Sequence, residues 1–144
     1  MKIIKTFAKL LLVSSLLVVP AKSAVFVADS KIAVNSQIIP NNTNIINVKT
    51  SGGTVYSIDG FNNGTTLAYI KFFNKADAVC GTDTPYARYL IPYGASSSGG
   101  GFNISNINGD AYRQGISYCV TTGIADSDTG APAASTYIVN VHYQ

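Results

Sequence analysis

Glutamate and tryptophan are absent from this 144-residue chain, and histidine and methionine occur once each, as His142 and Met1. Charged residues make up only 12% of it, and every acidic side chain is an aspartate. Each shortage removes a class of chemistry. A calcium loop of the EF-hand kind closes on a glutamate, and there is none. A structural zinc site needs clustered His and Cys, and one His with two distant Cys lacks that spacing. No Gly-x-x-x-x-Gly-Lys phosphate loop occurs. Ser96, Ser97 and Ser98 lie in a Gly-rich loop without a Gly-x-Ser-x-Gly elbow. Good helix formers are scarce, while β-branched residues, Tyr, Gly, Asn and Ser are common. That balance favours strands and turns.

The N-terminus carries an address. Lys2, Lys5 and Lys9 precede an apolar run from Leu10 to Val19, followed by Pro20 and Ala21-Lys22-Ser23. This is the three-part build of a secretory signal peptide over residues 1–23. The run is too short to span a bilayer, which takes ~20 residues. The expected location is therefore secreted, periplasmic or cell-surface, with no membrane contact once the leader is removed. The whole-chain charge of +3 includes Lys2, Lys5, Lys9 and Lys22, so residues 24–144 carry a formal −1. No Lys/Arg cluster remains to track phosphates, which excludes nucleic acid as an expected partner. In an oxidising compartment Cys80 and Cys119 are expected to form a disulfide. Closing that loop adds roughly 3–4 kcal/mol through the unfolded state. Two separate buried thiols are the alternative.

Turn signals at roughly 8–12-residue spacing separate seven or eight short strand candidates. The expected fold is all-β: a single antiparallel β-sandwich, jelly-roll-like, over residues 44–144. Residues 24–43 form an N-terminal arm or an edge strand, with Val25-Phe26-Val27 and Ile32-Ala33-Val34 as short candidates. From Thr54 to Asp59, alternation puts Val55, Ser57 and Asp59 on one face and Ile58 on the other. Asn62-Asn63-Gly64 signals a type I′ hairpin. From Thr66 to Phe73, Ala68, Ile70 and Phe72 share one face. Leu67, Tyr69, Lys71 and Phe73 share the other, which Lys71 marks as the wetter. Asn106 to Asp110 is turn-rich. Gly115 to Thr122 aligns Ile116, Tyr118 and Val120; Tyr137 to Tyr143 aligns Tyr137, Val139, Val141 and Tyr143 opposite Ile138, Asn140 and His142.

Several segments occur in a distinctive order: Tyr69-Ile70-Lys71-Phe72-Phe73-Asn74-Lys75-Ala76, Gly81-Thr82-Asp83-Thr84-Pro85, Ile91-Pro92, Gly115-Ile116-Ser117, Thr121 to Thr129, and Val139-Asn140-Val141. Over about Tyr69 to Tyr143 the chain resembles a family of small, largely uncharacterised β-sandwich proteins encoded in tailed phages and prophage-like regions. The resemblance implies a domain serving in or on a particle, and no catalytic residues. The leader and the two cysteines depart from that family's pattern.

Candidate chemistry is sparse. His142 is expected to be an ordinary surface or edge histidine. Asp29, Asp59, Asp77, Asp83, Asp110, Asp126 and Asp128 are scattered, mostly beside turns, which does not support a glycosidase pair. Asp126-Ser127-Asp128-Thr129-Gly130 opens like a calcium loop but lacks the later ligands, so a solvated hairpin loop is expected. No catalytic residue, metal or cofactor is expected. The candidate binding surface is aromatic, Tyr69 with Phe73 and Tyr137 with Tyr143. Such rings make protein interfaces or stack on sugars; covering the core edge is the alternative. The expected function is an exported non-enzymatic structural or interaction module of a phage-like particle or cell-surface assembly, acting through protein partners or self-association. A carbohydrate-binding module, using tyrosines and the loops at 94–101 and 126–134 to hold a glycan, is the alternative. A small secreted hydrolase ranks last.

Overall fold

Alternating β-branched and aromatic positions build strands throughout the computed structural model, which describes residues 32–40, 42–94 and 99–144, with residue 107 given by its backbone alone. The leader, Val25-Phe26-Val27 and the serines at 96–98 lie outside those residues. The strands are β1 (Ala33–Ile38), β2 (Ile46–Lys49), β3 (Gly53–Asn62), β4 (Ala68–Phe73), β5 (Ala87–Ile91), β6 (Gly100–Tyr112), β7 (Ile116–Thr121) and β8 (Tyr137–Tyr143). They form two four-stranded antiparallel sheets, ordered β1-β8-β3-β6 and β2-β7-β4-β5. First pairs with last, second with seventh, third with sixth and fourth with fifth. That nested order is a jelly roll, an all-β sandwich. Among the described residues no helix is long and apolar enough to cross a membrane.

The core lies between the sheets. Ala68, Ile70 and Phe72 of β4, Ile116, Tyr118 and Val120 of β7, and Tyr137, Val139 and Val141 of β8 are all buried there. Phe72 packs on Tyr118 with ring centroids 5.3 Å apart. Each fully buried Ile, Val or Phe contributes roughly 1.5–3 kcal/mol over leaving it in water. These are the faces that period-2 alternation assigns.

Three sequence expectations are corrected. In β3 the register against β8 shifts between Val55 and Ser57. The extra residue, Tyr56, lets both Val55 and Ile58 turn into the core, where strict alternation separates them. The β6 ladder breaks in the same place: Val55 pairs with Asp110 and Ser57 with Ser105. The turn-rich stretch is thus a bulge inside one long strand. Asn62-Asn63-Gly64 is no hairpin, because β3 and β4 belong to different sheets. Asn62 is instead a buried clamp for the crossing. Its Nδ2 donates to Thr66 O and Pro92 O, each at 2.9 Å, and its Oδ1 accepts from Gly64 N at 2.8 Å. The third correction is Lys71, which is fully buried.

Candidate functional site

The two sheets are finished differently on their outer sides. In β2-β7-β4-β5 the outer side is roofed, and all six residues of β7 are buried. One part of the roof is the segment 74–86, fastened by the Cys80–Cys119 disulfide with Cα atoms 6.2 Å apart. Phe73, Ala78 and Cys119 form a small apolar cluster beneath it, with Ile45 and Cys80 packed against them. The other part is the loop after β7. Lys71 Nζ rises into it and donates to Ala125 O at 2.6 Å and Asp128 O at 3.1 Å. Burial pushes the Lys71 ammonium below its ordinary value, while the nearby Asp128 and Asp126 carboxylates hold it up. Asp128 Oδ1 accepts from Gly123 N at 3.1 Å and Gly130 N at 3.0 Å. The calcium-like spacing thus has a plain physical account. The loop's carbonyl oxygens gather round a cation, and the cation is the chain's own lysine. Among the described residues no group of three or more His, Cys or Asp is placed to hold a metal.

The outer side of β1-β8-β3-β6 is built by register. Val34, His142, Ser57 and Ser105 pair across the four strands in one row. Ser36, Asn140, Asp59 and Asn103 make the next, and Ile38, Ile138, Phe61 and Gly101 the third. Partners opposite one another in antiparallel strands point to the same side. The middle of this face is polar: His142 Nε2 bonds Asp59 Oδ1 at 2.5 Å, and Asn140 Nδ2 donates to Asp59 Oδ2 at 2.8 Å. The Asn140 bond, against some burial and helped by His142, holds the Asp59 carboxyl below its ordinary value. His142 therefore sits on an inner strand with a carboxylate partner and is not an edge residue. Ser57 lies opposite His142, yet its hydroxyl has no hydrogen bond to that ring. The third row is apolar and open, with Ile38 64%, Ile138 41% and Phe61 38% exposed.

The four aromatics singled out in the sequence do not form one surface. Phe73 lies under the disulfide-fastened roof, and Tyr137 is wholly buried with its hydroxyl bonded to Thr66. Burial removes both from any binding surface. Tyr69 is half-buried on the roofed sheet; Tyr143 is half-buried on the other sheet and packs against the main core. Each pair shares a strand face, but the two pairs sit on different sheets. The loop after β7, which runs into residues 126–134, caps Lys71 through Ala125 O and Asp128 O. Among the described residues the exposed aromatics are Tyr86, Tyr93 and Phe61. Tyr86, which the sequence pattern makes the first residue of a strand, lies just before β5 and is placed by long-range contacts with Phe72 and Tyr112. Comparison with protein families, with curated proteins and with solved structures found no match for this chain.

Proposed function

We propose that the protein is an exported, non-enzymatic jelly-roll module that associates with copies of itself in a cell-surface or phage-like assembly. The observation that carries this reading is the contrast between a sheet roofed on its outer side and a sheet left open. On the open face Ile38, Ile138 and Phe61 make a continuous cross-strand row beside Asp59, Asn140 and His142. An exposed apolar strip with a polar flank has the composition of a contact surface. The bonded Asp59–His142 pair leaves the face without a block of like charge that would repel a second copy. The jelly roll is the fold of many viral capsid domains, an analogy of fold alone. The resemblance over Tyr69 to Tyr143 points the same way. The leader and the disulfide support export.

Light scattering on oxidised residues 24–144 across a concentration series tests the reading. The mass is expected to rise with concentration, and an Ile138→Asp variant should remain monomeric with its melting temperature nearly unchanged. A wild-type protein that stays monomeric at every concentration overturns it. So does turnover on an ester or glycoside panel that disappears in His142→Ala.

A further inference from the structure

Three chain segments meet at one end of the roofed sheet: the residues leaving β4, the loop entering β5 and the turn between β6 and β7. They enclose an open depression of about 500 Å³ rimmed by Asn74, Lys75, Asp83, Thr84, Tyr86 and Gln114. We propose that this depression is a binding subsite for a neutral hexopyranose, with Tyr86 as its stacking platform.

A pyranose presents an apolar C–H face and a periphery of hydroxyls. Its receptor needs a flat apolar ring and a few convergent polar groups. Tyr86 supplies the ring: it is 55% exposed, between a buried Pro85 and a partly buried Ala87. It is also held still. Its ring meets that of Tyr112 edge-on with centroids 5.0 Å apart, and its backbone N donates to Phe72 O at 2.8 Å. The polar rim is equally fixed. Asn74 Oδ1 accepts from Arg113 N at 2.6 Å and Gln114 N at 3.0 Å, which ties the turn to the end of β4. Gly115 allows that approach. It takes a φ of 147°, and a Cβ there would lie 2.6 Å from Ala76 N. Asp83 accepts from Val79 N at 2.7 Å and pairs with Lys75 at 3.1 Å, while the Cys80–Cys119 bond anchors the same loop. A rigid site loses little freedom on binding.

The rim's charge selects the ligand class. Lys75 and Asp83 neutralise one another, so the rim offers no surplus charge to an acidic or amino sugar. The exposed Gln114 amide and Thr84 hydroxyl, with the outward edges of Lys75 and Asp83, supply donors and acceptors for neutral hydroxyls. The site belongs to the roofed sheet, so it stands or falls apart from self-association on the other.

Calorimetric titration of oxidised residues 24–144 with neutral gluco-, galacto-, manno- and N-acetylglucosamine oligosaccharides tests this. At least one series is expected to bind in the millimolar range or tighter. Tyr86→Ala should weaken that binding roughly tenfold, Tyr86→Phe should retain it, and Tyr93→Ala, at an exposed tyrosine outside the depression, should leave it unchanged. Circular dichroism confirms that each variant is folded. Absence of binding by the whole panel overturns the proposal, as does equal binding by folded Tyr86→Ala.

Discussion

Lys71 shows how one residue can organise a roof. Its alternation partner positions on β4 face outward, and its ammonium is the donor around which Ala125 O and Asp128 O converge. A buried cation is costly unless fully hydrogen-bonded, so the loop and the lysine depend on each other. Lys71→Met keeps most of the stem but leaves those carbonyls without their donor. The variant should lose about 1–3 kcal/mol. Urea unfolding should give a lower midpoint at unchanged slope, and an unchanged midpoint would mean that the lysine does not hold the loop. Nothing adjacent in the chain announces this role. The acceptors are 54 and 57 residues away, and a lysine at an outward strand position ordinarily points to water.

At the scale of elements, legibility follows the reach of the cause. β7 and β8 are readable because each alternates without interruption, so Ile116, Tyr118 and Val120 share one face, as do Tyr137, Val139 and Val141; that each of these faces is the buried one is set by the packing of the two sheets. β3 misleads because its bulge at Tyr56 reverses the phase, and a bulge is settled by the partner strands. The Asp59–His142 pair was hidden for the same reason. Each residue's strand face is legible, but the register joining positions 83 apart is not. Phe73 misleads differently, since alternation says which side chains share a face and not which face is roofed. The roof segment 74–86 carries its own prediction. The disulfide spans a sequence separation of 39, for which chain-entropy closure is worth about 4 kcal/mol. The bridge belongs to the small cluster with Phe73 and Ala78, apart from the main core. A Cys80→Ser/Cys119→Ser double variant should therefore keep the jelly roll's circular dichroism and lose up to that amount in urea unfolding. Loss of the β-sheet spectrum under native conditions would show that the main core cannot stand without the staple.

For the whole molecule, the nested strand order makes the β3–β8 contact a closure between the third and last strands, and Asp59 lies on it. Its carboxyl is held below the ordinary 3.8 chiefly by the Asn140 hydrogen bond. Asp83 is lowered as well, first by its bond from Val79 N and then by Lys75. In both cases the unfolded chain binds the proton more tightly than the folded one. Stability from these groups is thus fully present above about pH 4 and is lost as the pH falls through the lower folded values. The chain has no glutamate to add a limb at slightly higher pH. Asp59→Asn removes one of these titrations from the closure while keeping an acceptor oxygen for Asn140. Urea midpoints measured from pH 5 down to pH 2 should fall more gently for Asp59→Asn than for wild type, and more gently again for the Asp59→Asn/Asp83→Asn double variant. If all three proteins lose stability in parallel, acid sensitivity arises elsewhere, and the Asp59–Asn140–His142 cluster does not couple the closure of the roll to pH.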